Sequence, residues 1–114
     1  MMPELSTGKY STQSVNAYKE HEVNMSSPEK CVLHLYDAAI QSCALGQEDR
    51  AGRALAMLID GLDFKVGGEV ATQLMGLYDY CLRLVHRQQF EHPVKILRSL
   101  REAWQAAVSE QIAA

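Results

Sequence analysis

Apolar residues recur along this chain in four runs at helical spacing, and short polar links part the runs. The first run places Val32, Tyr36, Ala39 and Cys43 on one face, with Leu33, Leu35 and Ile40 beside them. Steps of three and four residues return a side chain to the same side of an α-helix. Ser26-Ser27-Pro28-Glu29 precedes the run and reads as a helix start. Ser27 suits the N-cap, Pro28 the first helical position, and Glu29 the positive end of the helix dipole. Gly46 is a natural stop, so the first helix is predicted over about 28–45.

Ala51, Leu55, Leu58 and Leu62, with Ile59 beside them, make the second run, over about 50–63, with Asp49 as candidate N-cap. Gly52 and Gly61 each lower helix propensity by about 1 kcal/mol relative to Ala. This helix therefore depends on packing, or uses its small residues to admit a neighbouring backbone. Asp63–Gly68 reads as a turn, its glycine pair free to take positive φ. The third helix follows, over about 68–88. It carries two apolar stripes: Val70, Leu74, Leu77, Cys81 and Leu84, and next to them Ala71, Met75, Tyr78, Leu82 and Val85. At about 100° per residue the two cover roughly half the circumference. A core needs one stripe, so the second implies a further apolar client. The last run, Ile96, Leu97, Leu100, Ala103, Trp104 and Ala107, prolonged by Val108 and Ile112, predicts a helix over about 93–112, opened by Pro93.

Four helices with short links predict an all-α fold, an antiparallel up-down four-helix bundle with shallow crossings. Residues 1–14 are polar and without period, a flexible N-terminal arm. Residues 15–114 form one domain. Its first stretch, with Val15, Tyr18 and Val23, is amphipathic but too short to stand alone, and is expected to pack on the bundle as an arm or short helix.

Composition narrows the function classes. A chain of 114 residues buries enough surface for a core without staples. A net charge of −3 with no clustered basic face gives no footprint for nucleic acid. No apolar run approaches a membrane span, so no membrane insertion is expected. The first residues lack the apolar centre of a secretory signal. Three cysteines, an odd number, all fall on helical stripes, which suits reduced, buried thiols in a cytoplasmic protein.

Candidate chemistry is sparse. No Glu-x-x-His pair occurs, and Cys31 with His34 faces no second ligand pair of recognisable spacing. Gly67-Gly68 opens a helix, but the chain has no G-x-x-x-x-G-K-[ST] motif. Cys81 lies on a core stripe, without the activating base a nucleophilic thiol needs. The expectation is no enzyme, no metal and no cofactor. Tyr36 and Tyr78 each precede an aspartate. Their rings suit either a groove edge or a core from which the hydroxyls find partners.

Three segments carry a resemblance: AYKEHEVNMSSPEKCVLHLYDAAI (17–40), GLDFKVGGEVATQLMGLYDYCLRL (61–84) and LREAW (100–104). In order, and in one small helical chain, they resemble the flagellar secretion chaperones, the FliS family that escorts flagellin. Cys31 and Ala38 depart from the family pattern. The hairpins joining helices one and two, and three and four, look shortened by whole multiples of a heptad, which predicts a stubbier bundle trimmed at one end. The resemblance implies a non-enzymatic cytoplasmic export chaperone. It would hold the disordered C-terminal segment of flagellin, prevent premature polymerisation and present the client to the export apparatus. It also implies that Val15 and Tyr18 belong to a segment that covers the groove and moves when flagellin binds.

The half-apolar third helix fits a helix-in-groove exchange, in which a client folds as it buries apolar surface. Ala71, Met75, Tyr78 and Leu82 are the candidate groove residues on this reading, and packing only against helices two and four is the alternative. A regulatory helical module that buries the second stripe in a homodimer is the competing function class.

Overall fold

The computed structural model describes residues 28–113, with side chains to Ser109. The predicted arm at 1–14, Val15, Tyr18 and the Ser27 cap lie outside the described residues. Four helices follow one another: α1 Pro28–Ala44, α2 Glu48–Asp60, α3 Phe64–His86 and α4 Glu91–Ala113. No strand occurs among the described residues. The architecture is the expected all-α four-helix bundle, with α1 packed closely on α2 and α4, and α2 on α3. The ring of neighbours closes between α3 and α4, where the approach is loosest. We call the end with the α1–α2 and α3–α4 links the upper end, and the end where α1 starts the lower.

Local chemistry sets the helix ends. The Gly46 φ of 68° lets the Gln47 amide donate to the Ser42 carbonyl at 2.8 Å and the Gly46 amide to Cys43 at 3.1 Å. This αL closure satisfies the last carbonyls of α1. It also leaves no room for Asp49 as a cap: α2 starts at Glu48, and Gln47 holds the cap position without a side-chain hydrogen bond. Asp49 and Glu48 instead place two carboxylates in the first turn, at the positive end of the dipole.

The segment expected as a turn, Asp63–Gly68, is mostly helical. Asp63 Oδ1 accepts from the amides of Lys65 and Val66, each at 3.1 Å, and so caps α3 at Phe64. One turn later Gly68 breaks the helical geometry at φ 54°, ψ −128°, a conformation that strains any residue with a Cβ. Pro93, expected to open α4, lies in its first turn, where no N–H is needed.

The core runs along the bundle axis from Cys31, Val32 and Leu35 of α1, through Leu55 and Leu58 of α2 and Tyr78, Cys81 and Val85 of α3, to Leu97 and Trp104 of α4. Tyr36 and Tyr78 meet across its diagonal. Their rings are 6.2 Å apart and tilted by 58°, and their hydroxyls hydrogen-bond each other. Each buried hydroxyl thereby has a partner, which a low-dielectric interior demands. Gly52 is buried, but the atoms nearest a Cβ there would be side chains, His86 Cε1 at 3.7 Å and Leu82 Cδ1 at 3.8 Å, not a neighbouring backbone.

Candidate functional site: the α3–α4 groove

The seam between α3 and α4 is an open, apolar groove. Its lower half is a space of about 100 Å³ lined by Tyr36, Val70, Leu74, Leu100, Ala103, Trp104 and Ala107. Its upper half, about 340 Å³, is lined by Leu77, Ile96 and Leu100 with His92, Lys95 and Ser99. From His92 to Ala107 the groove runs for roughly 22 Å at ~1.5 Å per residue. Val70 and Leu77 are 45% and 38% exposed, and with the partly buried Leu74 between them they make one apolar patch along this helix flank. Below them, on the lead-in turn before Gly68, Phe64 and Val66 are also exposed.

Polar groups mark the upper rim. Tyr80 and His92 stack edge-on at 5.5 Å, with the tyrosine hydroxyl and Nδ1 of the imidazole 3.1 Å apart. Lys95 reaches Glu91 at 3.7 Å along its own helix. Nothing here resembles a catalytic constellation. The cysteines are buried, and burial pushes the Cys43 thiol up to about 11. Burial, helped by the neighbouring Cys43, pushes Cys81 up to about 12. Both stay protonated at neutral pH, in a form that is a poor nucleophile. Among the described residues, no group of three or more His, Cys, Asp or Glu can hold a metal ion. No described helix is long and apolar enough to cross a membrane.

The structure parts the four described candidate residues. Ala71 and Tyr78 have no exposed surface; they fill the core, and neither lines the groove. Leu82 is half-buried against α2, where it comes within 3.8 Å of a Cβ built at Gly52. Met75, two turns before Leu82 and so on the same flank, is 36% exposed. The groove lies on the opposite flank, where Val70, Leu74 and Leu77 face α4. Neither stripe behaves as a unit: Val70, Leu74 and Leu77 of the first border the groove while its Cys81 is buried, and Ala71, Tyr78 and Val85 of the second are buried while its Met75 is exposed.

Residues 46–111 match the family described as Flagellar protein FliS, which is more than half of the chain. The chain belongs to the FliS family. Two FliS relatives are each named flagellar secretion chaperone. The one from Salmonella typhimurium is 31% identical over 121 residues, covering 83% of this chain and 90% of the relative. The one from Campylobacter jejuni is 29% identical over 110 residues, covering 78% and 86%. The Salmonella alignment spans 121 positions, yet 83% of 114 residues is only about 95. The Salmonella relative is therefore longer within the shared stretch. The match to the FliS family takes in α2, α3 and α4 to Gln111, and so spans both walls of the groove.

Ile96 was legible only as a member of the α4 stripe, and Leu100 and Trp104 as members of that stripe and the two ends of LREAW. Periodicity gave their face. Only the packing of α4 against two unlike neighbours shows which edge of that face stays open.

Proposed function

We propose that this protein is the export chaperone of a flagellin, and that the α3–α4 groove receives the client's disordered C-terminal segment. The observation that carries this reading is a continuous apolar seam, with Val70 and Leu77 exposed, in a member of a family whose relatives are secretion chaperones. A segment that folds as it covers Val70, Leu74, Leu77, Ile96 and Leu100 gains the free energy of burying them, at about 25 cal/mol per Å² before its ordering entropy. Sequestered in this way, it cannot pair with other flagellin copies. The complex then passes from the cytoplasm to the flagellar export apparatus.

Ala71 and Tyr78 act from below, by holding α3 at the right height, and Met75 and Leu82 offer a secondary contact on the α2 flank. Val15 and Tyr18 belong to a segment that covers the groove in the empty chaperone. Two features support that role: Glu29, in the first turn of α1, lies beside Trp104 of the lower groove, and only four residues separate Val23 from Pro28.

Titration calorimetry with a peptide of the flagellin C-terminal segment tests the reading. Wild type binds with one saturable site, and Leu100→Glu loses at least tenfold in affinity while keeping its helical circular dichroism. Equal binding by the folded variant sinks the groove assignment. Light scattering over a concentration series addresses the competing homodimer: a tight dimer that ignores the peptide favours the regulatory module.

A further inference from the structure

One side chain is shared by the lower groove and the start of α1. Trp104, the sole tryptophan of the chain, is 5% exposed. Its ring lines the lower groove beside Tyr36, Val70, Leu74, Leu100 and Ala107. Its indole Nε1–H donates to the Glu29 carbonyl at 3.3 Å. Glu29 stands in the first turn of α1, and in regular helical geometry its carbonyl also receives the amide of Leu33. At 3.3 Å the indole bond lies just beyond the usual range of about 2.7–3.2 Å, so a modest tilt of the ring is enough to lose it. One side of the ring meets open space of about 100 Å³, and its N–H holds α1.

We propose that Trp104 is a positioning residue that couples filling of the lower groove to the order of the first turn of α1. An apolar group seated among Val70, Leu74 and Ala107 presses on the ring, the indole N–H leaves the Glu29 carbonyl, and the first turn of α1 loosens. Linkage makes this reciprocal: loosening that turn changes the affinity of whatever fills the groove. The identity of the natural filler rests on the flagellin reading above; the coupling rests on the geometry.

Ala107→Leu tests it in the full chain without any client, because the larger side chain fills the lower groove from within. Amide exchange at Leu33, read by NMR, should run roughly fivefold faster, the change expected for one lost hydrogen bond. Trp104→Phe, which keeps a ring and removes the N–H, should give the same acceleration, and the double variant should be no faster than either single one. Circular dichroism melts establish that each variant is folded. Unchanged exchange in Ala107→Leu overturns the coupling, and so does a further acceleration on top of Trp104→Phe. In a second arm, the flagellin peptide should accelerate Leu33 exchange and shift tryptophan emission in wild type, yet bind Trp104→Phe without altering Leu33. A peptide that binds wild type and leaves Leu33 unchanged overturns the coupling. A peptide that does not bind at all overturns the functional reading instead, and the Ala107→Leu arm then decides the coupling alone.

Discussion

The two flanks of α4 are built differently. Toward α1 the middle and lower seam is closed by specific polar ties, while its upper end opens into a space of about 590 Å³ beside Cys43, Leu45, Phe90 and Val94. Arg101 grips the Asp37 carboxylate with Nε at 2.5 Å and Nη2 at 3.4 Å, and Trp104 donates to the Glu29 carbonyl. Toward α3 the approach is looser and the seam is lined mostly by aliphatic side chains, with one tyrosine–histidine contact at its upper rim. A closed seam has its complement built into the chain. An open apolar seam has exposed surface that water penalises, and it is retained where a partner supplies the complement. The neighbours Leu77 and Tyr78 of α3 show the contrast at the smallest scale, one 38% exposed and the other fully buried.

The largest predicted effect lies on the closed side. Tyr78→Ala empties the core centre and removes the hydroxyl partner of Tyr36, for a loss of about 3–5 kcal/mol. Urea denaturation should show the variant close to unfolded. A midpoint near wild type would mean that the diagonal tyrosine pair does not hold the bundle.

Next come two glycines of α3 with the same open surroundings and opposite expected signs. A Cβ at either Gly68 or Gly76 meets nothing within 4 Å, so backbone conformation alone decides. Gly68, at φ 54°, should lose about 1–3 kcal/mol as Gly68→Ala. Gly76, in regular helix, should gain about 1 kcal/mol as Gly76→Ala. Thermal melts that move both variants the same way would contradict the break at Gly68.

Arg101→Ala removes a half-exposed ion pair between α1 and α4. It should cost about 0.5 kcal/mol at low salt and less at 1 M, without changing client affinity. A large loss of affinity would show that the closed flank also serves the client.

A separate effect appears only in alkaline solution. The Cys43 and Cys81 thiols ionise at about 11 and 12 when folded, against an ordinary 9.0. The folded state keeps protons that the unfolded chain sheds, so their contribution is complete below about pH 9 and is lost as pH rises from there through the folded values. The fall in denaturation midpoint between pH 9 and 10.5 should be shallower in a Cys43→Ala, Cys81→Ala variant than in wild type. Identical slopes would contradict buried, neutral thiols.

Much of this was legible in the sequence, and the part that was not has a physical cause. Pro28, Gly46 and the apolar runs predicted four helices and their order, because caps, stops and periods are local. In the sequence Gly67-Gly68 has the look of a helix start and Asp63 of a turn residue; in the structure the Asp63 carboxylate caps α3 earlier, and Gly68 is a break inside it. The site was harder. Helical period showed that α3 has two apolar stripes, but it cannot tell which neighbour comes close. The larger aliphatics Val70 and Leu77 suggested the core, whereas the core took Ala71, which allows close packing, and Tyr78, whose hydroxyl finds Tyr36 across the bundle.

The two flanks of α3 can be compared in a single experiment. Flagellin C-terminal peptide is titrated calorimetrically into Leu77→Glu, on the α4 flank, and Met75→Glu, on the α2 flank, both at exposed positions where a carboxylate is tolerated by the fold. Leu77→Glu should lose at least tenfold in affinity, about 1.4 kcal/mol, while Met75→Glu stays within about threefold of wild type. Full affinity in Leu77→Glu, or the larger loss in Met75→Glu, would place the client elsewhere than the α3–α4 groove.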